Sequence, residues 1–229
     1  MADFQEQVMG LTGLTIDNSS TTPSRAEFST FLNDGVLDVT RRSIGRSPNS
    51  AVQFIRESDE QTTNASLDLN GAQIISVVRE SGVNNQWEGC RYIPPAMQYS
   101  VTDTSSLNYA SKYNPVYTIL DDGKISVFPV PGSNPESFKV YYVNDSPEEA
   151  DGTALDHAST GIKYFPKDKI YLVIIYAAIK SLECKMAEYT IEEEDIELVQ
   201  AITQNLASLK QQYEGALSAP VTGQEGGNR

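Results

Sequence analysis

Residues 169–189 read KIYLVIIYAAIKSLECKMAEY, and from 170 to 179 no residue is charged and the most polar are two tyrosines. A helix apolar on every face has to be covered on every face. Ten such residues are about half of what a bilayer crossing requires, so the run belongs to a soluble core or to an interface. Pro166 stands where the first helical residue is favoured, and Thr190 is expected to break the helix.

Two neighbours are legible at once. The acidic run EEED at 192–195 starts a second helix, its charges near the positive helix end. Ile196, Val199, Ile202, Leu206, Leu209, Tyr213 and Ala216 follow at spacings of 3, 3, 4, 3, 4 and 3, close to a coiled-coil seam. A third helix begins near Ser24, where Ser24 and Glu27 fit a capping box and Thr22 with Pro23 form a competing start one turn earlier. Phe28, Phe31, Leu32, Val36 and Val39 make its apolar stripe. Arg41 and Arg42 close it beside the negative helix end, and Gly45 and Pro48 end it. Two long partners leave the central helix with surface to spare. At about 100° per residue, Ile170, Val173 and Ile174 share a face with Ala177 and Ala178, while Leu172, Ile175 and Ile179 share another. One face is expected inside the monomer and the other against another chain or against the β-rich part of this one; the sequence does not decide which, and Leu172, Ile175 and Ile179 are the candidate contacts for another chain.

The middle of the chain reads as strands. QIISVVRE (73–80) is rich in β-branched residues, and SFKVYYVN (137–144) is a further strand. In PVYTILDDGKISVFPVP (115–131), Asp122 and Gly123 form a turn signal between two β-rich runs, and Pro129 and Pro131 stop the second arm. Strands so close in sequence predict an antiparallel sheet. Residues 81–114 hold Trp87, Cys90, Tyr92, Met97, Tyr99, Tyr109 and Tyr113 without a clean period, which predicts a long connection with a helical turn. Residues 1–23 read as a loosely attached arm, with a short helix in FQEQVMGLTGL and a loop in DNSSTTP. The tail from 218 to 229 is expected to be disordered.

The 229-residue chain has 31 Asp and Glu against 17 Lys and Arg, a formal charge of -14, and its sequence pI is about 4.4. That balance argues against avid binding to phosphate backbones and against docking on anionic membrane. The opening residues lack the basic start and continuous apolar core of a secretory signal. Cys90 and Cys184 are too far apart in sequence to announce a disulfide framework or a metal site. They are a structural pair or two buried thiols.

No phosphate-binding glycine loop, dinucleotide fingerprint, zinc-helix motif or nucleophile elbow occurs. His157, the lone histidine, has no nucleophile signal beside it and reads as a surface residue. Glu192, Glu193, Glu194 and Asp195 point in different directions around a helix and make a poor cation cage. LDLNGAQ and LDDGKIS lack the spaced oxygens of a calcium loop and read as turns. No catalytic, cofactor or metal residues are expected, and the protein is not expected to be an enzyme. The one basic cluster, Arg41, Arg42 and Arg46, is either a helix cap or a contact for an acidic partner. In the second case glutamate at all three positions leaves the fold intact.

Three stretches together resemble the head-to-tail adaptor (connector) proteins of tailed bacteriophages. They are TPSRAEFSTFLNDGVLDVTRR, SSLNYASKYNPVYTILDDGKISVFPVPGSNPESFKVYYVN, and the pair FPKDKIYLVIIYAAIKSLECKMAEY and EDIELVQAITQNLASLKQQYEGAL, about half of the chain. The middle stretch, with its NPVY entry, D-G hairpin, proline-ended strand and KVYYV strand, is similar to the β-insertion of that family. The resemblance implies an α+β fold, a helical bundle from N- and C-terminal helices (24–48 and 164–217) with a central antiparallel β-rich insertion (49–145). It implies a homo-oligomeric ring, a dodecamer, under the portal protein at the head–tail junction of a virion, made in the host cytoplasm. The ring would join the portal to tail or neck proteins and let DNA pass without specific binding. Competing expectations are another neck or tail protein (a stopper or tail terminator), a capsid accessory protein, a non-viral protein-binding adaptor domain and a small enzyme.

Overall fold

A computed structural model describes residues 2–20, 22–67, 69, 71–120, 123–143, 146–192 and 196–218, with side chains of 190–192 and 196 left aside. Asp122 of the expected turn, residues 193–195 of the acidic run and the tail from 219 lie outside the described residues. The helices are α1 (Phe4–Thr12), α2 (Arg25–Arg46), α3 (Gln98–Thr102), α4 (Ile170–Glu192) and α5 (Ile196–Ser218). The strands are β1 (Ile55–Glu57), β2 (Gln73–Glu80), β3 (Trp87–Gly89), β4 (Arg91–Tyr92), β5 (Val116–Ile119), β6 (Ile125–Phe128) and β7 (Phe138–Val143). The chain is α+β and divides into two compact units, residues 1–50 with 146–229, and residues 51–145.

The first unit is helical and built around α4, which packs against α2, α5 and α1. The capping box of α2 forms as the sequence predicts: Ser24 Oγ accepts from Glu27 N and the Glu27 carboxylate accepts from Ser24 N. Phe28, Leu32, Val36 and Val39 are buried. Gly35 lets the helices approach closely, since a Cβ there would lie 3.1 Å from Tyr176 Cδ1 and 3.3 Å from Val173 Cγ1. The α5 seam buries Ile202, Leu206, Leu209 and Tyr213, while Ala216 is exposed. Several expected boundaries move. Gly45 lies inside α2, which runs to Arg46 and is capped at Ser47. Pro166 precedes a 3-10 turn at Lys167–Lys169 rather than opening α4. Thr190 does not break α4, because a β-branched residue merely weakens a helix whose neighbours hold it.

The expected loose arm is instead a packed element. Phe4, Val8 and Ile16 are almost fully buried. Asp3 caps α1 by accepting from Glu6 N at 2.7 Å, and Gly13, in the left-handed region, closes it with its N–H on Met9 O. Phe4 and Gln5, whose N–H groups have no partner inside the helix, donate to Ser159 O and His157 O of the 146–165 segment. Asn205 Nδ2 of α5 reaches Leu11 O at 3.3 Å near the other end. The same segment is stitched to α2, where Asn33 Nδ2 donates to Leu155 O and His157 N to Ser29 Oγ.

The second unit carries two sheets, ordered β1-β7-β2-β3 and β4-β5-β6. Phe138, Val140 and Tyr142 alternate inward along β7 and meet Val77 of β2 and Ile125 and Val127 of β6 in one cluster. The expected hairpin forms, with Val116 opposite Phe128 and Ile119 opposite Ile125. The expectation of a purely antiparallel sheet fails at one place: β4 runs parallel to β5. Residues 93–115 make this possible, because a parallel neighbour needs a crossover of about a dozen residues or more. That crossover, expected as a mere connection, has its own core. Ile93, Val101, Ala110 and Val116 are buried with Met97 and Phe128 packed against them.

Two polar devices hold this unit. Asn64 covers the outer edge of β6, its Oδ1 accepting from Val127 N at 2.7 Å and its Nδ2 donating to Val127 O at 3.1 Å. Arg79 and Glu80 are both buried at the end of β2. The Arg79 guanidinium donates to Pro129 O and Val130 O, carbonyls of a proline-rich loop poor in N–H donors, and to the neighbouring Glu80 O. The Glu80 carboxylate accepts from Ser137 N, Ser137 Oγ and Asn85 N.

Candidate interaction surfaces

The three apolar residues expected to meet another chain are inside this one. Leu172 is 7%, Ile175 0% and Ile179 6% exposed, and Val173, Ile174, Ala177 and Ala178 are as deeply buried. The expected surplus of apolar surface on α4 is absent because α1 supplies a third helical neighbour. Only Tyr171 stands half out of the first turn, its hydroxyl 3.4 Å from Gln212 Oε1.

The arginine cluster divides. Arg42 lies between α2 and α5, with Nε 2.9 Å from Asp38 Oδ2 and Nη1 2.8 Å from Glu214 Oε1. Its guanidinium stands 5.6 Å from the centroid of the Tyr213 ring, and the Tyr213 hydroxyl donates to Asp38 Oδ2 at 2.6 Å. Burial first, and then the Asp38 carboxylate, push the Tyr213 phenol far above its ordinary value, so the proton stays on to make that bond. Arg46 donates to Leu217 O and Ser218 O, carbonyls at the α5 C-terminus that have no partner within the helix. Arg42 and Arg46 thus bind α2 to α5, and glutamate at these positions would set carboxylates against Asp38, Glu214 and a helix C-terminus. Glutamate at all three positions is therefore expected to loosen α2 from α5 as well as to alter any outside contact. Arg41 is exposed and takes no part in this network.

The lone histidine is half-buried, and its backbone joins α1 to α2 as described above. Cys90 and Cys184 are free, half-buried and in different units, and burial pushes the Cys90 thiol up to about 12. Among the described residues, no group of three His, Cys, Asp or Glu is placed to hold a metal ion, and no helix is long and apolar enough to cross a membrane.

The surface that sequence reasoning missed lies in the second unit. Among the described residues, thirteen large apolar side chains are exposed, and ten of them fall in residues 51–145. Tyr92, Tyr99, Leu107, Tyr109 and Tyr113 belong to the crossover and its flanks, facing out while Ile93, Val101 and Ala110 face in. Tyr92 and Tyr117 meet edge to face at 5.6 Å. Arg91 N donates to Pro115 O, which draws β4 against the chain just after Tyr113, and a bridge between Ser111 and Asn114 makes a tight turn that carries Lys112 and Tyr113. Lys112 Nζ lies 4.9 Å from the Tyr113 ring centroid, and its stem passes about 4 Å from where a Cβ on Gly82 would be. The available signal was the density of aromatics in 81–114 without a period: a helix or strand would have hidden one face of them, and a folded loop did not. No protein-family model matches the chain, and no curated protein matches it.

Proposed function

We propose that the protein is a structural virion component, a head-to-tail adaptor that forms a ring under a portal and leaves a channel for DNA. In this reading the helical unit is a bundle from both ends of the chain, and residues 51–145 are its β-rich insertion. The observation that carries the reading is the location of ten of thirteen large exposed apolar side chains in the β unit. Exposed tyrosines and aliphatic side chains concentrated in one unit are the composition of a protein-docking surface. Three other features support it: the order of elements, the resemblance of the three stretches to connector proteins, and a charge of -14 that keeps a lumen from gripping passing DNA.

The test is native mass spectrometry and negative-stain microscopy of the protein alone and mixed with the portal protein encoded beside its gene. The expected result is a closed ring seated on the portal. Absence of a portal gene in the neighbourhood, or a chain that stays monomeric with the portal at micromolar concentration, overturns the reading. A ring that binds a tail protein and not the portal makes it a stopper or terminator.

A further inference from the structure

We infer that the turn and strand bearing Arg91, Tyr92, Lys112 and Tyr113 dock on the acidic helical unit of a second copy of this chain, head to tail. The inference rests on the ring reading and names the surface that closes the ring. Tyr92 is 52% and Tyr113 68% exposed, and both flank residues packed into a small core of their own.

Charge selects the occupant. Residues 91–113 carry Arg91 and Lys112 against Asp103 alone, the reverse of the chain's overall balance. Residues 1–50 and 146–229 carry twenty Asp and Glu against eleven Lys and Arg. Patch against patch would set Lys112 and Arg91 against their own copies, whereas patch against helical unit sets each cation against an acidic surface. A contact between two different surfaces of identical chains is heterologous, and such contacts close into rings when the rotation allows. Tyrosine beside arginine or lysine is also the side-chain set on which interface energy concentrates. Because Leu172, Ile175 and Ile179 are buried inside the monomer, they have no share in this contact.

The experiment mixes isotopically labelled and unlabelled full-length protein, treats the assembled material with a zero-length carbodiimide and maps the joined peptides. Lys112 is expected to join, across copies, to Asp or Glu of residues 1–50 or 146–229. In parallel, Lys112→Glu and the double variant Tyr92→Ala with Tyr113→Ala are compared with wild type by circular dichroism and sedimentation. Both variants are expected to keep the wild-type spectrum and to self-associate about tenfold more weakly or worse. If wild type assembles while the variants assemble equally well, or if Lys112 joins only residues of its own copy or of the portal, the proposed surface is wrong and the ring reading stands. If wild type self-associates under no condition, including on the portal, both fall. Should the double variant misfold, Lys112→Glu and the map decide.

Discussion

Residues 170–179 and residues 91–113 are both apolar-rich, yet the protein treats them oppositely. The first is a helix that buries Leu172 to Ile175 and Ala177 to Ile179 against α1, α2 and α5 and leaves only Tyr171 half exposed. The second is a crossover that buries small and aliphatic residues and turns its tyrosines outward. Density of apolar residues therefore does not tell whether a segment is exposed. What tells is the apolar surface that remains after every element of the same chain has been placed, and this can be judged only with all of them in position.

The sharpest way to break the contrast is to put one charge in each region. Ile175→Asp leaves an unpaired carboxylate in the sealed helical core. It is expected to cost at least about 4 kcal/mol, enough to abolish a cooperative melt. Tyr113→Asp, on the exposed turn, is expected to shift stability by less than about 0.5 kcal/mol. If the Ile175 variant folds normally, α4 is not sealed as described.

Next in size is the element that seals α4. Phe4→Ala on α1 is expected to cost about 3 kcal/mol in thermal or denaturant unfolding, since it empties a fully buried aromatic site. A loose arm would give no measurable change. Smaller still is the α2–α5 tie: Arg42→Ala is expected to cost about 0.5–1 kcal/mol, because the side chain is 47% exposed and water screens its pairs. Raising the salt should narrow the gap between the two proteins. An effect above about 2 kcal/mol would mean that the Tyr213–Asp38 bond fails with it.

The smallest effect is in pH. Burial raises the Glu183 carboxyl, but its bonds to Lys210 of α5 and Lys180 of α4 outweigh burial and hold it below its ordinary value of 4.5. A depressed folded-state value contributes stability that is present above the unfolded value and lost as pH falls through the folded one. Wild type is therefore expected to lose more melting temperature than Glu183→Gln between about pH 5 and about pH 3. Parallel losses would show that Glu183 does not help hold α4 to α5.

The sequence by itself determined the elements whose signals are local. The capping box at Ser24 and Glu27, the apolar stripe of α2, most of the α5 seam, the two hairpin arms and the β7 strand each depend on residues a few positions apart, where helix and strand signals are written directly. The Asp3 cap, the Gly13 stop and Phe4, Val8 and Leu11 at helical spacing were equally present in α1. Their meaning depended on a groove formed by residues some 150 to 200 positions later, so the segment passed for an arm. Tertiary structure alone decided that β7 lies between β1 and β2 and that β4 runs parallel to β5. It also decided that Arg42 and Arg46 are spent on α5, and that Leu172, Ile175 and Ile179 face inward while Tyr92 and Tyr113 face out. Periodicity states which side chains share a face. Which face meets solvent is set by the remaining elements, because burial is a property of the whole packed chain and not of the segment that carries the pattern.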